Sequence, residues 1–307
     1  MEPRGKELLE RLKAEVLVLD GAMGTMLFEA GLLNGACPEL WNETHADVVS
    51  GIHRAYFDAG ADIVETNTFG GTRLKLVPYD LQERVRDLNV AGARLARSVC
   101  PPGKYVVGSI GPTGHLPDTL AAMGDISLDE MRTNFSEQAV ALAEGGVDFF
   151  AIETMMVPDE ATTAIRAAKE ATGLPVMATM FFQYNKQKSL DRTLWGSAPA
   201  DVARFLFDAG ADIVGCNCGE GGPARAAVII REMRQAASGF LAAYPNAGMP
   251  KIVDDQTVYD LAPDEMAAGY PAILDAGANL VGACCGSTPE HIRRIAAVMR
   301  IRRHPRE

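Results

Sequence analysis

One phrase, written four times along the chain, limits the possible folds more than any other feature. FDAGADIVE (57–65), EGGVDFFAIE (144–153), FDAGADIVG (207–215) and LDAGANLVG (274–282) are variants of a single unit. Each begins as the end of an amphipathic helix and passes a glycine suited to the left-handed conformation of a helix C-terminus. Each then enters a short apolar run. The runs are rich in β-branched residues and do not strictly alternate, as in strands buried on both faces. Helix, glycine turn and buried strand in repetition make βαβ units, and hence a parallel sheet.

Four further apolar runs fill the gaps: EVLVLD (15–20), KYVVGSI (104–110), LPVMATM (174–180) and FLAAYPNAG (240–248). That makes eight strands, separated by helix-compatible stretches such as LDEMRTNFSEQAVALAE (128–144). Eight parallel strands predict an α/β fold closed as a (β/α)₈ TIM barrel rather than an open sheet. No linker, charge block or low-complexity run interrupts the 307 residues, so 1–307 reads as one domain. That length is ordinary for an α/β barrel, and 48% hydrophobic content suffices for a large core.

The balance of 29 Lys and Arg against 40 Asp and Glu leaves a net charge of −11, which argues against nucleic-acid and anionic-membrane partners. No stretch of 18 apolar residues occurs, so no spanning helix is expected. The start, MEPRGKELLERLKAE, reads as a charged amphipathic helix without a signal-peptide core, and a cytoplasmic location is expected. The six cysteines, at 37, 100, 216, 218, 284 and 285, are too few and too clustered for a disulfide framework. Clustered cysteines point instead to metal or redox chemistry.

Functional side chains of such a barrel sit at the C-terminal ends of its strands. Those positions hold Asp20, Glu65 with Asn67, Ser109, Glu153, Thr179, Cys218, Asn246, and Cys284 with Cys285. Cysteines ending strands six and eight would meet at one mouth, and three thiolates around Zn²⁺ leave an open, catalytic position. Adjacent cysteines in an extended strand face opposite ways, so Cys284 and Cys285 can share an ion only where the strand breaks. Gly286 supplies the break. Spacing alone also admits a redox pair at 284–285 or buried cysteines acting as small apolar residues, and does not choose between Cys216 and Cys218. In DGAMGTML (20–27), an acid and two glycines follow strand one, a turn whose backbone amides suit a carboxylate while Asp20 suits an amine. Glu153, closing AIET, is a second acid for an ammonium group. An amino acid bearing a thiol satisfies all three features together.

The segments LDGAMGTM, ETNTFGGTRLKL, GSIGPTG, AIET, GCNCG, YPNAG and GACCGSTPEHI run in order from 19 to 292. In them the chain resembles the homocysteine S-methyltransferase family. The resemblance implies a (β/α)₈ barrel, zinc held by Cys218, Cys284 and Cys285, and homocysteine as substrate. It places the substrate amine on Asp20 and Glu153, its carboxylate near Gly21 and Ala22, and Asn246 at the fourth zinc position before substrate arrives. DGAMGT and ETNTFG are similar to the first module of cobalamin-dependent methionine synthase more than to the S-methylmethionine or betaine branches. Because no DxHxxG cobalamin-ligand motif occurs, the resemblance implies methylcobalamin on a separate corrinoid protein as the donor. A small-molecule donor, another thiol acceptor, or a zinc barrel that binds without turnover are the alternatives. None of the five histidines is required as a base, since metal binding itself releases the thiol proton.

Overall fold

A computed structural model describes residues 4–253 and 256–303. Eight parallel strands form one sheet: β1 Leu17–Val18, β2 Ile63–Glu65, β3 Tyr105–Ile110, β4 Phe149–Met155, β5 Val176–Met180, β6 Ile213–Cys218, β7 Phe240–Pro245 and β8 Leu280–Val281. Their hydrogen-bonded order is β1-β8-β7-β6-β5-β4-β3-β2, and a bridge between Leu19 and Ile63 joins the two ends into a barrel. Helices cover its outside, among them Leu128–Gly145, which opens on a capping box between Ser127 and Glu130. The expected TIM-barrel fold is the one found.

The fourfold phrase turns out to be a strand clamp. Its glycines, Gly60, Gly146, Gly210 and Gly277, all take positive φ, between 96° and 112°. The next polar residue, Asp62, Asp148, Asp212 or Asn279, uses its side chain to accept the amide hydrogen of a neighbouring strand, that of Val18, Val106, Val176 and Leu241 in turn, at 2.8–3.0 Å. Its own N–H donates back to the carbonyl of the same residue. A basic side chain closes each clamp: Lys104, Arg97, Lys169 and Arg234 respectively. All four sit where even-numbered strands begin, the end of a barrel that serves stability.

Alternate strand residues fill the lumen. Leu17, Leu19, Ile63, Tyr105, Val107, Phe149, Ala151, Met177, Ile213, Ala242, Tyr244 and Leu280 form one apolar cluster, with Leu8 and Leu12 of the helix Gly5–Ala14 closing its base. The other parity packs outward against the helices in a second, larger cluster. Stepping two residues further along the inward faces of β2 to β5 gives Glu65, Ser109, Glu153 and Thr179, and four further along that of β6, past Gly215, gives Asn217, a polar layer on an apolar plug.

Two antiparallel hairpins decorate the loops after β5 and β7, pairing Gln183–Asn185 with Leu190–Arg192 and Lys251–Val253 with Gln256–Val258. Both are three residues a side, too short for a periodic signal in the sequence. No helix among the described residues is long and apolar enough to cross a membrane.

Candidate functional site

Cys218, Cys284 and Cys285 converge at the C-terminal mouth, their ligand atoms all within 4.8 Å of one another. β6 ends in Cys218 itself, at φ +52°, whereas β8 stops at Val281. Cys284 and Cys285 therefore lie in a turn, with Gly286 at φ +79°, and are free of the strand alternation that would have parted them. The Cys284 amide donates to Pro245 O, the Ala247 amide to Cys285 O, and the Gly286 amide to Thr25 Oγ1, pinning the turn to the loops after β7 and β1. Tetrahedral Zn²⁺ with bonds near 2.3 Å sets its sulfurs about 3.8 Å apart. Two edges of this triangle, Cys218–Cys285 and Cys284–Cys285, measure 3.9 and 3.8 Å; the third, Cys218–Cys284 at 2.7 Å, is the one an ion would open. The donor set fits zinc. Without a cation the three thiols cannot ionise together: hydrogen bonds from Cys218 and Cys284 bring Cys285 down to about 3, while Cys284 is pushed well up by the hydrogen bonds it makes to Cys218 and Cys285.

Beside the sulfurs, a bulge interrupts the pairing of β4 with β5 between Ile152 and Met155, and Thr154 takes φ +57°. A positive φ at a β-branched residue is strained and collects at functional sites. Here it turns the Thr154 amide out of the ladder toward Asn217 Oδ1, at 2.8 Å. Asn217, on β6 and 1% exposed, also contacts both Cys218 and Cys284 through Nδ2.

Three carboxyls share the polar layer. Asp20 is 1% exposed and accepts the Glu65 amide through Oδ2 at 3.0 Å, but its Oδ1 is buried with no partner among the described residues, as is Glu65 Oε1. Glu153 accepts from Ser109 Oγ at 2.5 Å. Burial, joined by the charge of Glu153, holds Asp20 and Glu65 well above the usual carboxylate range. Burial also pushes Glu153 up to about 7, against the lowering effect of Ser109. An acidic layer with orphaned acceptors is built for a cation.

Gly21 and Ala22 lead into the helix Met23–Glu29, as a carboxylate cradle would require. The Ala22 amide is already engaged, however, donating to Ser287 Oγ at 3.0 Å, and Ser287 in turn donates to Cys284 O. Asn246 follows β7; its Nδ2 contacts Gly219 O at 3.4 Å and its Oδ1 is buried without a partner among the described residues. The segment after the second hairpin carries Tyr259, whose pKa is pushed up chiefly by burial and next by the charge of Cys285. Leu261 anchors that segment by donating to Ala247 O, and its carbonyl lies 3.0 Å from His291 Nε2. His291, which also accepts the Thr288 amide hydrogen at Nδ1, thus ties the start of the last helix to that segment.

Cys216 stays apart: it is buried in the outer core, 5% exposed, and pushed up to about 12 by burial. Cys37 packs in a small cluster near Leu76, and Cys100 is a half-buried helix-end residue. Reading only strand ends picked out Glu65, Ser109 and Thr179 without assigning them roles, and passed over Asn217, Thr154 and Tyr259. The two-residue step of the lumen would have found Asn217. Nothing in the sequence marks Tyr259, which comes from a loop.

Comparison with known proteins agrees with this fold. The sequence profile of the family described as homocysteine S-methyltransferase matches residues 17–299. The methionine synthases of Mycobacterium leprae (strain TN) and Mycobacterium tuberculosis (strain ATCC 25618 / H37Rv) are each 37% identical, over 95% and 98% of this chain. The chain spans about a quarter of the length of these relatives, 25% and 26%. Among solved structures, the homocysteine methyltransferase MmuM from Escherichia coli in its metallated form superposes with a TM-score of 0.75 at 23% identity, over 95% of this chain and 98% of that one. A methyltransferase from Methanosarcina mazei shares the fold at a TM-score of 0.56 and 15% identity, over 98% of this chain and 99% of that one.

Proposed function

The chain belongs to the homocysteine S-methyltransferase family, and on that premise we propose that it binds homocysteine at the barrel mouth and methylates its sulfur to give methionine. Cys218, Cys284 and Cys285 would hold Zn²⁺, which when bound supplies a Lewis acid that keeps an incoming thiol ionised at neutral pH. The observation that carries the reading is one of placement: three thiols meet at the mouth, and Asn217 touches two of them and Glu153, a carboxyl of the layer that also holds Asp20.

The side chains divide the substrate among them. Asp20 and Glu153 receive the ammonium group, whose charge answers the two carboxylates and the orphaned oxygen. Gly21 and Ala22, at the start of a helix, face the carboxylate, with Ser287 exchanging its contact to the Ala22 amide. Asn246, with its free buried Oδ1, stands beside the turn of Cys284 and Cys285 as a stand-in partner before substrate enters. The apolar plug beneath the layer excludes water from one side and leaves the sulfur open only toward the mouth. A new S–C bond forms there as the donor's bond to its methyl breaks, the thiol proton having already left for solvent.

For the donor we infer methylcobalamin carried by a corrinoid protein. The likeness of DGAMGT and ETNTFG to the cobalamin-dependent module, and the two methionine synthase relatives, support it over a small sulfonium or betaine donor. Titration of L-homocysteine into zinc-quantified protein, with Cys218→Ser alongside, tests the acceptor. Binding that needs about one zinc per chain and vanishes in the variant is the expected result. Zinc without homocysteine binding would leave a binding barrel or another thiol, and absence of zinc from protein purified without chelator would end the reading.

A further inference from the structure

The side chain of Asn217 has only one possible orientation. Its Oδ1 accepts from the Thr154 amide at 2.8 Å and from Thr179 Oγ at 2.7 Å. A backbone N–H can only donate, so the atom facing it must be the oxygen. The NH₂ end is then turned to the opposite side. There it meets Thr154 Oγ1 at 2.6 Å, Glu153 Oε2 at 3.4 Å, and the sulfurs of Cys218 and Cys284, each at 3.8 Å. Every group on that side is an acceptor or becomes one on ionisation; one N–H of Asn217 goes to the nearest, Thr154 Oγ1, and the other is shared among Glu153 and the two sulfurs.

We propose that Asn217 is a positioning residue that donates hydrogen bonds to the sulfurs of Cys218 and Cys284 and ties this pair to the amine-binding Glu153. The inference rests on the metal reading above. Donors aimed at thiolates stabilise their charge, fix the direction of their lone pairs, and set how tightly they hold an ion. The strain at Thr154 has a use in this light, since the bulge is what delivers the amide that locks the side chain of Asn217. The same residue spans from Glu153 on β4 to Cys284 after β8, so the amine and sulfur halves of the site keep one spacing.

Asn217→Asp separates this role from simple packing. An aspartate has the same shape and still accepts from Thr154 and Thr179, so a merely structural role survives the change. Its second oxygen, however, faces two sulfurs and Glu153 with at most the single hydrogen of a protonated carboxyl in place of the amide's two. The expected result is a folded barrel by far-ultraviolet circular dichroism with zinc affinity, read by chelator competition, lowered about 10- to 100-fold. In cobalt(II)-loaded protein the thiolate charge-transfer band shifts to longer wavelength, because the sulfur lone pairs lose their stabilising donors. Thr179→Val removes one of the two locks on Oδ1 and shifts both readouts the same way by a smaller amount; it decides the matter if the aspartate variant does not fold. Wild-type zinc affinity with an unmoved cobalt band in the folded variant overturns the inference and leaves the metal reading intact. Wild-type protein that binds neither ion overturns the metal reading, and this inference with it.

Discussion

The Cβ that Gly286 lacks would fall 2.1 Å from Cγ of Tyr259 and 2.4 Å from its Cβ. The turn that carries Cys284 and Cys285 and the segment that carries Tyr259 are therefore packed backbone against ring, in a space open only to glycine. Gly286 also takes φ +79°, where an L-residue is strained by about 1–2 kcal/mol. Gly286→Ala is expected to expel the Tyr259 ring, lower the melting temperature by a few degrees and loosen zinc, while the lower barrel stays intact. A thermal melt with zinc quantification checks it, and unchanged values in both would show that the turn is freer than its packing implies.

Serine in place of Cys218, Cys284 or Cys285 removes a thiolate donor but little volume. Each variant should lose most bound zinc and all methyl transfer while keeping the far-ultraviolet spectrum of the barrel. Cys216→Ser makes the informative control, because that side chain lies in the outer core away from the triangle. It should keep its zinc at some cost in stability from a buried hydroxyl. Zinc content by elemental analysis separates the four, and a zinc loss confined to Cys216→Ser would reassign the ligand.

The barrel was legible because its signal is repeated. Four copies of helix, glycine and buried strand leave little choice of architecture, and their strands fall where the apolar runs do. The strand limits were less so: the runs 15–20 and 274–282 contain only Leu17–Val18 and Leu280–Val281 as paired strand. Beyond these the backbone leaves the ladder to build the mouth. The converging thiols stood out because cysteine is rare and clustered here. Glu65, Ser109 and Thr179 were visible only as polar strand ends, since a polar residue meeting water and one facing a substrate read alike. Asn217 needed the inward parity of β6, and the bulge at Thr154 has no local sequence cause, because strand pairing decides it.

Glu153 gives the site a pH dependence whose sign can be worked out. Its carboxyl titrates near 7 in the free protein, raised chiefly by burial. An ammonium ligand needs the carboxylate and the zinc-bound thiol gives up its own proton, so homocysteine affinity in excess zinc should rise about tenfold per unit above pH 7 and fall more steeply, toward a hundredfold per unit, as pH drops below it. Stability of the ligand-free protein runs the other way. The folded value lies above the unfolded 4.5, so this contribution is fully present below 4.5 and is lost as pH rises through 7, by roughly 3 kcal/mol. Titration calorimetry and melts between pH 5.5 and 8 read both, and an affinity whose slope does not change on passing pH 7 would place the amine elsewhere.

The clamps at the far end of the barrel allow stability to be changed without touching the site, and burial should rank them. The Asp148 side chain, 1% exposed, accepts from Arg97, the Val106 amide and the Arg4 amide at 2.6–3.0 Å. Asp148→Ala leaves the largely buried Arg97 charge and a strand amide unmet, which costs about 3–5 kcal/mol. Asp212 makes the equivalent bonds to Lys169 and the Val176 amide, but the pair is 27% and 33% exposed. Water can replace much of what Asp212→Ala removes, and the cost should drop to about 1–2 kcal/mol. Neither change lies near Cys218 or Asp20, so zinc content and homocysteine affinity should hold at wild-type values in both. Urea unfolding beside calorimetry measures the two quantities separately. Equal costs at 148 and 212 would mean that the strand amide, common to both clamps, outweighs the buried charge that distinguishes them.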